Sequence, residues 1–358
     1  MNRPPEPLQS ALAPTLSAPQ QKPRPLPLFL AMLRSETAQS PNRLAQALLG
    51  LRAYQEAPRA TPLPPLPAIA EAHGAALRDY GGDGRPVVFV PSLINPPNIL
   101  DLAAERSLLR WLVAAGHRPL LVDWGADVAL RRDLSVTDHV EKILVPLVES
   151  IGEPAALVGY CLGGTMALAA ASVAPVRSLA TIAVPWRFSS YPEQARALLA
   201  RLWEQGRPSA DRLGLFPMEL LQSAFWSLDP ARTVAKFERF AGLEPDSDGA
   251  RGFVLLEDWA NDGPPLGGAA AREMFEDLFA ADLPGRGAWK VGGRPVDPTN
   301  LSVPLLNIVS TIDRIVPAES AADAGQRLEI DKGHVGMVIG GGARERLWRP
   351  LSDWLFRV

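Results

Sequence analysis

The sequence predicts an α/β fold, a mostly parallel sheet flanked by helices with a helical segment inserted into it. Three observations carry this. Short continuous apolar runs, such as VVFV at 87–90, LLV at 120–122 and LATIAV at 179–184, are bounded by Gly and Pro. They alternate with stretches of helical periodicity, the pattern of strands buried on both faces and joined by helical crossovers. The alternation then stops over 186–300 and resumes at VPLLNIV, 303–309.

In chain order, residues 1–27 are rich in Pro, Gln and Ser and are expected to form a flexible tail. Residues 28–55 carry helical periodicity broken at Pro41, with Ser40 as N-cap and Pro41 at the first helical position. A proline run over 58–67 is a stiff spacer. Strands are expected at 87–90, 120–122, 156–158 and 179–184, and helices at 107–116, 137–151 and 165–172. Gly116 ends the first helix, and Thr137 or Asp138 lies near the cap of the second. Amphipathic helices follow at 195–203, 218–226, 234–240 and 270–279. A last strand is expected at 327–330, and a closing helix at 347–356 is interrupted by Pro350. The chain thus divides into a proline-rich tail and helix (1–67), a first part of the α/β core (68–185), the helical insertion (186–300) and a second part of the core (301–358).

Composition narrows the function. With 47% apolar residues in 358, a substantial core is expected; one undivided core rarely exceeds ~300 residues. The net charge of −3 gives no global reason to expect nucleic acid or an anionic membrane surface. The uncharged stretch 155–176 is long enough to span a bilayer, but its glycines and Pro175 favour a buried strand, a tight turn and a core helix. No signal-peptide pattern is present at the N-terminus, and a cytoplasmic protein is expected. Cys161 is the single cysteine, which rules out an intramolecular disulfide and a cysteine-rich zinc site. No metal and no bound cofactor are expected.

Gly159-Tyr160-Cys161-Leu162-Gly163-Gly164 follows a strand and opens a helix. This is the elbow pattern in which hydrolases usually carry serine, here with cysteine as candidate nucleophile. Its turn leaves no room for flanking side chains, and a helix N-terminus favours a thiolate and offers free N–H groups. The base and acid should follow the nucleophile in sequence. His334 is the only histidine after Cys161 and sits in a loop beyond the last strand. Asp313 follows the resumed strand closely; Asp282, Asp297 and Asp323 are weaker rivals. An oxyanion hole needs two N–H donors. Leu162 supplies the first, and the loop 91–95 the second, assigned to Ile94; Ser92 and Asn95 could instead order that loop. Arg131-Arg132 could meet phosphates, but a solvated charge pair is the expected reading.

Together these motifs resemble the polyhydroxyalkanoate synthases. The matches are GYCLGG at 159–164, VPSLINPPNILDL at 90–102, SLLRWLVAAGHRPLLVDWG at 107–125, WKVGGRPVDPTNLSVPLLNIV at 289–309, DRIVP at 313–317 and GHVGMVIG at 333–340. The resemblance covers roughly 75–358 and implies an α/β-hydrolase fold with a helical cap, with nucleophile, acid and base carried onto Cys161, Asp313 and His334. Many family members have histidine after the aspartate; here it is Arg314. The chain also lacks the long N-terminal domain of single-component synthases, and is more similar to short catalytic subunits that need a partner protein.

The resemblance implies an acyltransferase that polymerises (R)-3-hydroxyacyl-CoA, with a Cys161 thioester intermediate and release of CoA. A cysteine exchanges one thioester for another and so keeps the acyl group activated. The alternative is a thioesterase or esterase with the same Cys-Asp-His set, which differs only in the final acceptor. A non-catalytic granule-surface protein is a third reading, disfavoured by the complete set. Expected partners are the CoA thioester, the growing polyester, a second synthase subunit and a second copy of the chain; nucleic acid and a transmembrane anchor are not expected. The implied location is the cytoplasm, in association with polyester granules.

Overall fold

The computed structural model describes residues 22–59, 61 and 63–358. Most of the tail, 1–21, and residues 60 and 62 of the proline run lie outside the described residues.

Two helices open the described chain, α1 (Leu26–Glu36) and α2 (Pro41–Glu56). Ser40 caps α2 by accepting from the Arg43 N–H, and Pro41 occupies its first turn. Residues 22–27 belong to no flexible tail. Lys22 Nζ lies 2.6 Å from Asp262, and the Arg24 N–H donates to Asn261 at 3.0 Å.

Strands β1 (Ala68–Ala72) and β2 (Ala75–Asp79) then form an antiparallel hairpin. Six strands follow: β3 (Pro86–Val90), β4 (Arg118–Asp123), β5 (Ala155–Tyr160), β6 (Val176–Ile182), β7 (Leu305–Ser310) and β8 (Gln326–Ile330). They form one eight-stranded sheet in the order β1-β2-β4-β3-β5-β6-β7-β8. From β4 to β8 all pairings are parallel; β1 and β2 join antiparallel at the edge. β3 and β5 are buried along their whole length, as continuous apolar runs covered on both faces must be.

Helix α3 (Leu108–Ala114) joins β3 to β4 with Ser107 as N-cap. The next crossover starts one residue earlier than expected, at Val136. Its N-cap is Ser135, which forms a capping box with Asp138, so Thr137 and Asp138 lie near the cap as expected. Helical turns run from Val136 to Glu149, with π turns over Val140–Leu144. Helix α4 (Leu162–Ala171) joins β5 to β6 and is buried almost throughout, so 155–176 forms a core strand and helix. Among the described residues no helix is long and apolar enough to cross a membrane.

Between β6 and β7 lie α5 (Glu193–Leu213), α6 (Met218–Ser227), α7 (Pro230–Phe240), α8 (Asp248–Asn261) and further helical turns over Gly268–Arg272 and Glu273–Ala280. Two short ribbons, Leu215–Phe216 with Leu266–Gly267 and Lys290–Val291 with Arg294–Pro295, also occur in this helical region. Phe216, Met218, Leu221 and Trp226 are buried, so the aromatic segment over 215–230 packs inward. Phe29, Leu33, Leu51 and Tyr54 of α1 and α2 form a separate core with Trp226, Phe237 and Phe240. The N-terminal helices therefore pack on the inserted helices. The closing helix, α9 (Arg349–Arg357), holds Pro350 in its first turn and follows directly on π turns over Arg344–Trp348, so Pro350 does not interrupt the helical run.

Candidate active site

The elbow joins β5 to α4. Cys161 has φ 54° and ψ −135°, a backbone conformation that a side-chain-bearing residue adopts only under strain of ~1–3 kcal/mol. Its N–H donates to Ile182 O at 3.0 Å and its carbonyl accepts from Gly164 N–H at 2.8 Å. The neighbouring glycines are required by contact. A Cβ on Gly163 would lie 2.2 Å from Val90 O, and one on Gly159 would lie 2.2 Å from Gly164 Cα. The backbone thus crosses itself and β3 so closely that only the nucleophile position carries a side chain outward. Cys161 is half-buried.

Asp313 lies three residues beyond β7, with its side chain fully buried. Its Oδ1 accepts from the Ile315 and Val316 N–H groups at 2.7 and 3.2 Å, and its Oδ2 lies 2.6 Å from His334 Nδ1. The carboxylate acceptor holds a proton on Nδ1 and so fixes the orientation of the ring. The His334 ring is 8% exposed and stacks on Tyr160, with centroids 5.0 Å apart. Burial alone would pull its pKa down. The charges of Asp313 and then Cys161 outweigh burial and hold it up at about 10. Asp313 thus pairs with His334 and shares one cavity lining with Cys161.

The rival carboxylates are engaged elsewhere. Asp282 is buried and accepts from the N–H groups of Phe188, Ser189 and Gly285. Asp297 accepts from Thr299 N–H at 2.9 Å, and Asp323 is exposed beside Arg187. Arg131 is no solvated charge. It is 5% exposed and donates to the carbonyls of Gly125 and Asp127, whereas Arg132 is exposed beside Asp133.

The two expected oxyanion donors differ. Leu162 is the first residue of α4, so its N–H has no intrahelical acceptor. The Ile94 N–H is already taken, because it donates to Ser92 Oγ at 3.2 Å. Ser92 thus orders the loop, which is further pinned where Trp124 donates to Pro91 O at 3.0 Å and Trp259 donates to Pro96 O at 2.8 Å.

Sequence reasoning passed over Tyr160 and Tyr191. The Tyr160 hydroxyl donates to His334 O at 3.2 Å, so the residue before the nucleophile holds the histidine by both ring and hydroxyl. Burial pushes both phenols well above the ordinary range, and the charges of Cys161 and Asp313 add to that. Arg314 forms an ion pair with Asp229, the N-cap of α7, and so joins the Asp313 loop to the inserted helices.

A cavity of about 510 Å³ opens onto these groups. Ile94, Cys161, Leu162 and Asp313 line its floor, and α5, α6 and the 273–280 turns supply mostly apolar walls. Among the described residues no group of three or more histidine, cysteine or acidic side chains is placed to hold a metal ion.

Comparison with known proteins yields two findings. The family model of the Alpha/beta hydrolase family matches residues 87–340. Among curated proteins, the chain is 30% identical over 289 residues to the poly(3-hydroxyalkanoate) polymerase subunit PhaC of Allochromatium vinosum, covering 75% of this chain and 80% of that protein. The protein of the same name from Thiocystis violacea is 29% identical with the same coverage. That from Haloarcula marismortui is 28% identical over 301 residues, covering 80% of this chain but 63% of its own length. The chain thus spans less than two thirds of the haloarchaeal relative.

Proposed function

We propose that this chain, which belongs to the α/β hydrolase family and within it to the poly(3-hydroxyalkanoate) polymerase subunits, is an acyltransferase that builds polyester from (R)-3-hydroxyacyl-CoA. The observation that carries the reading is Cys161 in a strained elbow, beside a buried Asp313–His334 pair and under an apolar cavity.

The Cys161 thiol gives its proton to His334, and the resulting thiolate attacks the thioester carbonyl carbon. The bond to the CoA sulfur breaks, and the departing CoA thiolate takes a proton from His334. The acyl group remains a thioester, now on Cys161. His334 then removes the proton of an incoming 3-hydroxyl, whose oxygen attacks the acyl carbon. An oxoester forms and Cys161 leaves as thiolate. Asp313 keeps the His334 proton on Nδ1, so that Nε2 faces the chemistry. The Leu162 N–H stabilises the oxyanion; Ile94 joins it once its N–H leaves Ser92. The apolar cavity keeps water from competing with the hydroxyl. The word subunit in the relatives' names supports a second protein chain in the working enzyme.

The test is CoA release from (R)-3-hydroxyacyl-CoA by wild type and Cys161→Ala, with products separated by size. Cys161-dependent release with high-mass polyester is the expected result. Release with free hydroxy acid alone would make the protein a thioesterase, and release unchanged in Cys161→Ala would refute the nucleophile.

A further inference from the structure

We propose that a second cavity, behind the loop that carries Ile94, binds a free hydroxycarboxylate: a small anion with a carboxylate, a neighbouring hydroxyl and a hydrocarbon tail. The site stands apart from Cys161 and does not depend on the acyltransferase reading.

This cavity holds about 560 Å³. It shares the 91–97 loop with the catalytic cavity, because Ile94 lines the catalytic side while Leu93, Asn95, Pro96 and Pro97 line the second one. Two buried polar side chains of its lining keep bonding capacity to spare. Arg131 is 5% exposed and donates only to the carbonyls of Gly125 and Asp127, at 3.0 and 3.4 Å. Among the described residues no carboxylate pairs with it, and Asp127 and Asp123 act on it only at a distance. A guanidinium has five N–H groups, so some are left without an acceptor, and an unpaired charge is costly to bury. His139 is 3% exposed, and its Nδ1 lies 2.7 Å from Ser135 O. A carbonyl only accepts, so the proton sits on Nδ1 and Nε2 of the neutral ring is a bare acceptor. Among the described residues that Nε2 has no hydrogen-bond partner.

The other polar side chains of the lining are engaged. Arg24 pairs with Glu219, Asp123 with Arg78 and Asp262 with Lys22, and the Asn95 amide donates to Ala260 O at 3.5 Å. The carboxylates that reach His139 are engaged as well, Asp138 with Lys142 and Glu273 with Thr137 and Trp289. What remains is one cation and one acceptor, set in a wall that includes Leu93, Trp124, Val128 and Leu266. The charge of Arg131 is felt at His139, so both groups fall within reach of one small molecule. A carboxylate suits the guanidinium fork, a hydroxyl donates to Nε2, and a tail covers the apolar wall. A plain fatty acid lacks the donor, and inorganic phosphate lacks the tail. At ~30 Å³ per non-hydrogen atom, the share of one water in the liquid, 3-hydroxyoctanoate with about eleven such atoms fills ~330 Å³, a little over half the cavity. Its occupant would rest on the wall shared with the catalytic cavity, beside Trp124, which pins that wall by donating to Pro91 O at 3.0 Å.

The experiment titrates the full-length protein with sodium 3-hydroxyoctanoate and follows binding by ligand-observed NMR. The expected dissociation constant is about 1 mM or tighter, within what so small a ligand reaches in a well-made site. Octanoate, without the hydroxyl, should bind about tenfold more weakly, and methyl 3-hydroxyoctanoate, without the charge, at least about tenfold more weakly. His139→Phe should lower the hydroxy acid to the affinity of octanoate and leave octanoate unchanged, a selective effect that a merely structural histidine would not give. Ala126 is exposed at the cavity rim, so Ala126→Trp closes the mouth without entering the core and should abolish binding. Should His139→Phe fail to fold, Ala126→Trp and the ligand series still decide. Three results would overturn the proposal: no saturation by about 10 mM, octanoate or inorganic phosphate binding as tightly as the hydroxy acid, or binding untouched by Ala126→Trp, which would put the acid in the catalytic cavity instead.

Discussion

Replacing Asp313 by asparagine removes the carboxylate's charge and keeps its shape. Asp313 makes three contacts, with the N–H groups of Ile315 and Val316 and with His334 Nδ1 at 2.6 Å. Asparagine keeps the first two through its own Oδ1, so the loop has no cause to move. Its amide nitrogen, however, is a donor and meets the donor at Nδ1. The clash is relieved when the imidazole shifts its proton to Nε2, the nitrogen required to accept a proton. Loss of one hydrogen bond to a charged group is worth ~1.5–3 kcal/mol, or about 10- to 100-fold in rate. The wrong tautomer adds to this, as the ~10⁴-fold effect of the same change in serine triads indicates. Acylation of Cys161 should therefore slow by between ~10² and ~10⁴. The pH profile gives a second readout. His334 is pulled down by burial, and Asp313 is the largest influence opposing it, so the wild-type imidazolium persists until about pH 10. Without that charge the alkaline limb should move acidward by at least about one pH unit. Rapid-quench acylation followed from acid to beyond pH 10 would check both. A loss under about tenfold with an unmoved alkaline limb, in a variant that melts like wild type, would refute the reasoning.

Tyr160→Phe keeps the ring stacked on His334 and removes the hydrogen bond to its carbonyl. Chemical denaturation should show a loss of about 1 kcal/mol, and Tyr160→Ala a much larger one. Gly163→Ala would put a Cβ 2.2 Å from Val90 O and 2.4 Å from Pro91 O, both backbone atoms, so soluble yield and melting temperature should drop sharply. His139 is buried and its pKa is pulled from 6.5 to about 4, chiefly by burial. Its folded pKa lies below the unfolded one, so its stabilisation is complete above pH 6.5 and disappears as pH falls toward 4, because only the unfolded chain takes up the proton in that window. The shift corresponds to about 3 kcal/mol. His139→Gln should flatten the dependence of the urea midpoint on pH in this window; parallel profiles would show that His139 contributes nothing.

The central strands were legible because β3 and β5 are buried on both faces, and only unbroken apolar runs can be. The edge hairpin was not, because β1 and β2 read AIAEA and AALRD, small residues with little β preference. Its turn at His73-Gly74 has positive φ at both positions, a two-residue hairpin signal lost in an alanine-rich background. The π turns over 140–144 and 273–280 keep a helical apolar pattern and so read as ordinary helix. At the site, chain order pointed to His334, and closeness to the resumed strand separated Asp313, the carboxylate that pairs with it, from its rivals. The state of the Ile94 N–H was not legible, because a hydroxyl two residues away competes for it. Tyr160 was hidden for another reason: its partner lies 174 residues further on, and no local pattern reports that contact.

The positions of backbone strain follow the same division. Among the described residues, four other than glycine have positive φ: His73, Cys161, Ala183 and Asp282. His73 belongs to the edge hairpin, and Asp282 stabilises its own turn by accepting from Gly285 N–H. The other two stand just past the C-terminal ends of adjacent strands, β5 and β6. Each is stitched to the next strand, Cys161 N–H to Ile182 O at 3.0 Å and Ala183 N–H to Ile308 O at 2.8 Å. Asp313 follows the third strand of that series, β7. A glycine at 161 would relieve the strain at no steric expense. A cysteine there makes sense only if the side chain is needed where the strain points it, and the sheet's hydrogen bonds hold that conformation in place. Cys161→Gly should therefore abolish acylation while leaving the fold at least as stable as Cys161→Ala, which keeps the strain and loses the thiol. Comparing the two melting temperatures separates the function of the side chain from the conformation of the backbone that presents it.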